Sequence, residues 1–198
     1  MRTIKKKIGT IPQQIGSLAK LQILCIIDNH LNGSIPEEIG YLRSLTELEL
    51  GNNSLNGSIP ASFGNLNNLS LLGLYSNQLS GSIPTEIGYL RSVTGLHLGN
   101  NSLNSSIPAS LGNLSNLSRL YLYDNHFSGS IPRKIGYLRS LTDLELGSNS
   151  LNGSIPASFE NLRNLKIMIL NDNDFIGEIP SSVCNLTSLK VLYMSIFS

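Results

Sequence analysis

The 198-residue sequence contains no tryptophan and only two cysteines, and charged residues make up 14% of it. An average soluble domain has about 25% charged residues. The net charge of +1 provides no electrostatic basis for binding nucleic acid, an anionic membrane or an acidic substrate. No run of about 18 apolar residues occurs, so no segment is predicted to span a bilayer. Hydrophobic residues nevertheless make up 40% of the chain, which argues against disorder.

The eight prolines recur at intervals of 24 residues, from Pro12 to Pro180. An unbroken period of this length is typical of a solenoid, in which each repeat forms one coil and neighbouring coils share a core. We therefore expect residues 1–198 to form one repeat domain of about eight coils, incomplete at both ends. Its polarity comes from 22 asparagines and 29 serines rather than from charge.

The two cysteines, Cys25 and Cys184, are separated by more than six repeats. Strands stacked about 4.8 Å apart would place them roughly 30 Å from each other. That separation exceeds the ~7 Å Cα limit of a disulfide. We expect both cysteines to be free, and cysteine usage indicates no redox compartment.

Each repeat contains a short alternation of leucines that predicts a strand. In residues 42–65 it is Leu48-x-Leu50, which places both leucines on one face. Eight such pairs predict one parallel sheet: Leu24/Ile26, Leu48/Leu50, Leu72/Leu74, Leu96/Leu98, Leu120/Leu122, Leu144/Leu146, Met168/Leu170 and Leu192/Met194. The residues flanking these leucines then form a continuous concave surface, because the opposite side of each coil is bulkier.

An asparagine recurs where the chain leaves each strand. Its amide can accept from and donate to backbone groups that the turn leaves unpaired, which predicts a hydrogen-bonded ladder. The ladder residues are Asn29, Asn53, Asn77, Asn101, Asn125, Asn149 and Asn173.

A Gly-Ser-Ile-Pro segment follows, as at Gly57 to Pro60. The glycine permits backbone shapes that other residues resist. The next residues are predicted to form one short 3-10 or helical turn on the convex side, opened by Pro60 and closed by Gly64.

The pattern Leu-x-x-Leu-x-x-Leu-x-Leu-x-x-Asn-x-Leu-x-Gly-x-Ile-Pro, read from Leu42 to Pro60, resembles the plant-specific extracellular leucine-rich repeat. The resemblance extends from about Leu18 to Met194. Segments such as Ile39 to Ser44 alternate with an Ala-Ser-Phe/Leu-Gly-Asn-Leu form, and this super-period is similar to that of the Cf class of resistance receptor-like proteins. The resemblance implies an α/β repeat solenoid: a curved right-handed coil with a parallel concave β-sheet and short 3-10 or helical turns on its convex side.

The resemblance also implies a ligand-recognition ectodomain of a plant receptor-like protein or receptor kinase. Such a protein binds a protein or peptide ligand, with a co-receptor, in defence or developmental signalling. The location implied is the extracellular face of the plasma membrane or the apoplast, as part of a longer protein. The chain itself shows no signal peptide, paired-cysteine caps, membrane span or kinase domain, so we expect a fragment or a truncated gene product.

Two alternatives remain open at this stage. One is a secreted inhibitor similar to the polygalacturonase-inhibiting proteins, and the other is a truncated fragment without function. Uncapped ends would expose leucines and strand edges, so the chain expressed alone is expected to associate end to end.

Internal duplication indicates where a ligand would bind. Residues 43–90 and 91–138 match at 35 of 48 positions, yet five of the ten predicted concave positions differ, against eight of the other 38. We interpret this divergence as a change of ligand contacts; free drift of exposed positions is the alternative. The candidate binding residues on this face are Glu47, Glu49, Tyr75, His97, Arg119, Tyr121, Tyr123, Asp143 and Glu145.

Tyrosine and arginine are favoured anchors of interfaces, and Arg119, Tyr121 and Tyr123 are predicted to share one strand. The alternative for the tyrosines is ordinary cross-strand packing, and for the carboxylates it is solvation.

Catalysis is not expected. The carboxylates around Glu49 and Glu145 lie four repeats apart, about 19 Å at 4.8 Å per strand, whereas a glycosidase needs ~5–9.5 Å. His97 has no nucleophile beside it, and the histidines lack metal-ligand spacing. No metal or other cofactor is predicted, and no glycine-rich phosphate loop is present.

Ten sequons predict candidate N-glycosylation sites, although a composition rich in asparagine and serine produces many by chance. They are Asn32, Asn52, Asn56, Asn68, Asn100, Asn104, Asn113, Asn116, Asn152 and Asn185. A glycan on Asn52 or Asn100 would block the concave face.

Overall fold

The computed structural model of the protein describes residues 9–195, which form a stack of similar coils. Each coil passes through a short strand, a tight turn, usually a second short strand, and one short helix. The first eight and the last three residues of the predicted 1–198 domain lie outside the described residues.

Fifteen short strands occur within residues 9–195, and they alternate between two sheets. In chain order they are β1 (Ile23–Cys25), β2 (Asn32–Ser34), β3 (Glu47–Glu49), β4 (Ser54–Gly57), β5 (Leu71–Gly73), β6 (Gln78–Gly81), β7 (Gly95–His97), β8 (Ser102–Ser105), β9 (Arg119–Tyr121), β10 (His126–Ser130), β11 (Asp143–Glu145), β12 (Ser150–Gly153), β13 (Ile167–Leu170), β14 (Asp174–Phe175) and β15 (Val191–Met194). The odd-numbered strands form the eight-stranded concave sheet, and the even-numbered strands form a seven-stranded sheet.

The concave sheet confirms the strands that the leucine pattern predicts. Each strand pairs in parallel with the strand one coil further on, so that Leu48 lies opposite Leu72. Leu48 is fully buried, whereas Glu47 and Glu49 on either side of it remain partly exposed. Burying a leucine side chain contributes about 1.5–3 kcal/mol. Repetition of this contact from coil to coil builds one continuous core.

The seven-stranded sheet was not predicted from the sequence. Each of its strands carries little apolar pattern: β4 and β6 contain one buried leucine each, Leu55 and Leu79. One buried residue in four leaves no alternation to detect. These segments become strands because they pair with the neighbouring coil, where Asn56 lies opposite Gln78.

Six of the ladder asparagines connect one coil to the next. The Oδ1 atom of Asn53 accepts the N–H of Leu31 at 3.0 Å, and its Nδ2 atom donates to the carbonyl oxygens of Ile26 at 2.7 Å and Leu50 at 3.1 Å. Leu31 and Ile26 belong to the preceding coil. The same arrangement recurs at Asn77, Asn101, Asn125, Asn149 and Asn173. Asn29 is exposed and donates instead to the Ile27 carbonyl of its own coil.

Two further rows of polar side chains join the coils, and the sequence analysis did not identify them. In the first, a hydroxyl donates to a carbonyl 24 residues earlier; its members are Thr46, Ser70, Thr94, Ser118 and Thr142. In the second, a hydroxyl or amide donates to a carbonyl 25 residues earlier; its members are Ser44, Asn68, Ser92, Asn116, Ser140 and Asn164. The recurrence of small polar residues in these two phases is the signal that could have revealed them.

The predicted turns are 3-10 helices in seven coils and a short α-helix in the last. The 3-10 helices are Gln13–Ser17, Glu37–Tyr41, Ala61–Asn65, Thr85–Tyr89, Ala109–Asn113, Arg133–Tyr137 and Ala157–Asn161, and α1 is Ser181–Cys184. The prediction that Gly64 ends its turn is wrong, because the helix continues to Asn65. Gly64 is needed for close approach: a Cβ there would lie 2.7 Å from the backbone oxygen of Glu86 in the next coil.

The glycine of the Gly-Ser-Ile-Pro segment has positive φ in six coils, with values from 73° to 90°. The coil that lacks this glycine keeps the same backbone shape, since Ser105 has a φ of 69°. A left-handed conformation costs a residue with a side chain roughly 1–2 kcal/mol. The neighbouring coils therefore hold Ser105 in a conformation that is unfavourable for an isolated serine.

Candidate functional site

The candidate binding residues lie on the concave sheet in two rows that run across the strands. The first row contains the last residue of strands β3, β5, β7, β9 and β11 and reads Glu49, Gly73, His97, Tyr121 and Glu145. The second row lies two residues further along each coil and reads Gly51, Tyr75, Gly99, Tyr123 and Gly147. Both rows mix large side chains with glycines, so the surface is uneven.

The large side chains lean over the glycines of adjacent coils. The Tyr75 ring lies over Gly51, and the Tyr123 ring lies over Gly99, where an added Cβ would be 2.6 Å from the ring. The Glu49 carboxylate occupies the space above Gly73. These glycines leave room for neighbouring side chains to lie flat on the sheet.

His97 and Tyr121 form a stacked pair across β7 and β9. Their ring centroids are 4.7 Å apart, and the planes meet at 17°. An aromatic pair of this kind contributes about 0.5–1.5 kcal/mol beyond the area that it buries. The pair gives the centre of the sheet a fixed wall.

A cleft of about 290 Å³ opens between these side chains. It is lined by Glu49, Tyr75, His97, Gly99, Tyr121 and Tyr123. Other depressions, of about 290 to 590 Å³, lie elsewhere on the described part of the molecule, but none of these four has an aromatic wall. Aromatic and apolar walls around a few polar atoms are typical of binding sites, so we take the concave cleft as the candidate site.

Two polar atoms in the cleft are buried and have no hydrogen-bond partner among the described residues. They are Oε2 of Glu49 and Nε2 of His97. Buried polar atoms are normally paired, so two unpaired ones in the same cleft distinguish it from ordinary sheet surface.

The surroundings of these two groups shift their pKa values. Burial, and then the Arg119 guanidinium, lower the pKa of His97 to about 4, so its imidazole is neutral at pH 7. Burial raises the pKa of Glu49 above its ordinary value; the Glu47 carboxylate raises it further, and Arg119 lowers it.

The structure thus brings together five of the nine predicted binding residues and leaves four outside the cleft. Glu47, Arg119, Asp143 and Glu145 lie on the same sheet but do not line the cleft. Sequence reasoning missed the glycines, which form the space itself. A glycine at a position where neighbouring repeats carry large side chains is the signal that could have identified them.

The structure also places the possible metal ligands, the two cysteines and the sequon asparagines. Within residues 9–195, no group of three or more His, Cys, Asp or Glu residues is arranged to hold a metal ion. Cys25 and Cys184 are both free and exposed. Among the described helices, none is long and apolar enough to cross a membrane. Nine of the ten sequon asparagines are exposed, and Asn32 is partly buried.

Comparisons with known proteins agree with this architecture. The Leucine Rich Repeat family matches seven consecutive segments: residues 20–42, 44–66, 68–90, 92–114, 116–138, 140–162 and 164–186. A comparison with curated protein sequences finds no match.

Three solved structures are similar over nearly the whole chain. The crystal structure of a TDR receptor is 35% identical with a TM-score of 0.93, over 95% of this chain and 33% of that one. The Arabidopsis receptor kinase HAESA, in complex with the peptide hormone IDA and the co-receptor SERK1, is 32% identical with a TM-score of 0.83, over 96% of this chain and 37% of that one. A plant ice-binding protein is 28% identical with a TM-score of 0.79, over 96% of this chain and 70% of that one.

The chain spans about a third of the length of these two receptor chains. The repeat match covers most of its sequence, and the two parallel sheets and 3-10 helices follow the same 24-residue period. The chain therefore belongs to the leucine-rich repeat family.

Proposed function

We propose that the chain is the ligand-recognition part of a plant cell-surface receptor, and that it binds a peptide or protein ligand on the concave sheet. The observation that carries this proposal is the cleft, where side chains from four consecutive coils converge. Three tyrosines line it, and partly buried tyrosines are preferred anchors because they offer a large area at low entropic cost. The activity proposed is recognition rather than catalysis.

The likeness to the HAESA complex supports a peptide ligand and a co-receptor as the partners. In that structure a receptor kinase holds a peptide hormone and a co-receptor. By extension we propose a peptide or protein ligand for this chain and a co-receptor as second partner. The proposed location is the extracellular face of the plasma membrane or the apoplast, within a longer protein.

The subclass is part of the same proposal. The alternation of two repeat forms over 48 residues favours a receptor-like protein similar to the Cf class, with a role in defence. We also propose that the exposed sequon asparagines other than Asn52 and Asn100 carry glycans. Asn52 and Asn100 flank the concave sheet and donate to Asp28 and Ser76 of the preceding coils, so unmodified side chains there would leave access to the sheet open.

The proposal predicts that paired tyrosine variants on the two sides of the coil behave differently. Peptides are selected from a random displayed library on the immobilised full chain, and their dissociation constants are then measured. Changing Tyr121→Ala together with Tyr123→Ala should weaken the binding of these peptides by roughly 1,000-fold, because each anchor contributes on the order of 2 kcal/mol and every 1.4 kcal/mol is about tenfold. Circular dichroism should be unchanged.

The matched control uses two tyrosines on the 3-10 helices. Tyr89 and Tyr137 are 60% and 59% exposed and lie away from the concave sheet. Changing both to alanine should alter the affinity less than about twofold, as for residues outside an interface. Loss of binding in this pair, with the concave pair unaffected, would contradict the proposal.

A further inference from the structure

Glu49 and Glu145 occupy the same position of their strands, but their neighbours on the next strand differ. Glu145 has the same local sequence, since Leu48-Glu49-Leu50-Gly51 is repeated as Leu144-Glu145-Leu146-Gly147. The next strand, however, presents Gly73 beside Glu49 and Ile169 beside Glu145. The missing side chain at Gly73 lets the Glu49 carboxylate lie down at the edge of the cleft, with Oε2 buried and unpaired.

The concave face is acidic although the chain as a whole is not. We define the face by five positions per coil, which in the second coil are residues 46, 47, 49, 51 and 52. Seven of the chain's 13 carboxylates occupy these positions, against only three of its 14 lysines and arginines. The acidic residues are Asp28, Glu47, Glu49, Asp124, Asp143, Glu145 and Asp172, and the basic residues are Arg119, Lys166 and Lys190. A concave face of one sign attracts ligands of the opposite sign.

The acidic groups reach the cleft itself. Burial raises the pKa of Tyr75, and the carboxylates of Glu49 and Asp28 raise it further. Arg119 is the one nearby cation of the face, and its guanidinium lies toward Gly95, with Nη2 3.7 Å from where a Cβ of that residue would be. It does not hydrogen bond to Oε2 of Glu49. The Glu47 carboxylate has a larger effect than Arg119 on the pKa of Glu49, so this end of the cleft remains acidic.

The walls of the cleft suit the stem of a long side chain. Tyr75 and Tyr123 offer ring faces, and the neutral imidazole of His97 is stacked on Tyr121. Arginine and lysine bury their methylene stems on apolar surface, and their charged ends interact favourably with aromatic faces. The volume of about 290 Å³ is at the lower limit of the ~300–1,000 Å³ of small-molecule sites, so it fits one side chain rather than a folded segment.

We propose that this cleft is the subsite for one arginine or lysine side chain of the ligand, whose charged group donates a hydrogen bond to the Glu49 carboxylate. The stem lies between Tyr75 and Tyr123. This inference rests on the proposed function and specifies the chemistry of the ligand at that site.

The test uses the full chain and three small probes: N-acetyl-arginine amide, N-acetyl-lysine amide and N-acetyl-citrulline amide. Citrulline has nearly the shape of arginine without its charge. Each probe is titrated into protein carrying ¹³C-labelled tyrosine and histidine, followed by NMR. At least one cationic probe should shift the resonances of Tyr75, Tyr123 and His97, and it should bind about tenfold more tightly than the citrulline probe, as expected for a hydrogen bond to a charged group.

The matched variants are Glu49→Gln and Glu145→Gln. Glu49→Gln keeps the shape of the side chain and removes its charge, so it should weaken the binding of the cationic probe about tenfold. Glu145→Gln removes the same charge from the same row of the face and should weaken binding of the cationic probe less than Glu49→Gln does, because Glu145 does not line the cleft. Equal binding of citrulline and arginine probes, equal effects of the two variants, or no shift at the highest soluble probe concentration would each overturn the proposal.

These outcomes are separate from the test of the proposed function. If Tyr121→Ala with Tyr123→Ala abolishes peptide binding while the probes show no charge preference, the concave site stands and this subsite does not. If the probes discriminate but selected peptides are insensitive to the tyrosine pair, the cleft binds a cation and the proposed mode of ligand binding is wrong.

Discussion

Asn125→Ala is expected to destabilise the chain by about 3–5 kcal/mol, because it leaves several buried backbone groups without partners that each cost ~1–3 kcal/mol. The Oδ1 atom of Asn125 accepts the N–H of Leu103 at 2.9 Å. Its Nδ2 atom donates to the carbonyl oxygens of Leu98 at 3.1 Å and Leu122 at 3.2 Å. Asn125 is itself buried, so water cannot easily replace the amide.

The measurement is urea denaturation followed by circular dichroism, with Asn29→Ala as the matched control. Asn29 occupies the same phase of the repeat, but it is exposed and donates to the Ile27 carbonyl of its own coil. Its replacement should cost less than about 1 kcal/mol, the usual net value of one exposed hydrogen bond. Equal losses at the two positions would show that the asparagines do not act by joining coils.

Phe127→Ala is expected to cost about 3–5 kcal/mol, the range for removing a large aromatic side chain from a core. Phe127 is completely buried and follows the ladder turn in β10. The ring belongs to the hydrophobic core that runs through all the coils, and interiors of this kind are close-packed, so we expect the space that it leaves to close only in part.

The control for this position comes from the repeat itself. Neighbouring coils carry leucine here, as at Leu103 and Leu151, and both are fully buried. Phe127→Leu should therefore cost only about 1 kcal/mol, as for swaps that nearly conserve volume. The two variants are compared by the same urea titration. A leucine variant as unstable as the alanine variant would mean that the ring shape, rather than filled volume, is what the coil requires.

The sequence predicts the features that depend on one residue type recurring in one phase. Leucine alternation predicts the concave sheet, and the asparagine phase predicts the turns. The glycine before Ser-Ile-Pro predicts a backbone shape that other residues resist, and Gly57 has a positive φ. These features repeat because each coil meets the same local requirement. Comparing the coils of this one chain therefore shows which residue type each position requires.

Features that depend on contacts between coils could not be predicted in the same way. The second sheet forms by pairing of segments such as β4 that have weak strand signals of their own. Gly64 is required by the backbone of the next coil rather than by its own turn. Glu160 occupies the corresponding glycine phase of a later coil, and the helix that follows it is α1 rather than a 3-10 helix.

The candidate site also combines features that the sequence predicts with features that depend on contacts between coils. Its tyrosines, His97 and Glu49 were identified from their side chains, but the cleft exists because Gly73 and Gly99 carry none. The space that a missing side chain leaves can be located only when the position of the adjacent coil is known. For this reason the sequence predicted the face correctly as a surface but not where on it a cavity would form.

The seven tyrosines of the chain allow a direct measurement of ligand binding to the concave sheet at the cleft. Tyr75, Tyr121 and Tyr123 line the cleft, whereas Tyr41, Tyr89 and Tyr137 end the 3-10 helices. A peptide selected on the full chain is spin-labelled, and paramagnetic broadening is recorded on ¹³C-labelled tyrosines. We predict broadening of the three cleft tyrosines and sharp resonances for the three helix tyrosines. Broadening confined to Tyr41, Tyr89 and Tyr137 would place the ligand on the other side of the coil and contradict the account.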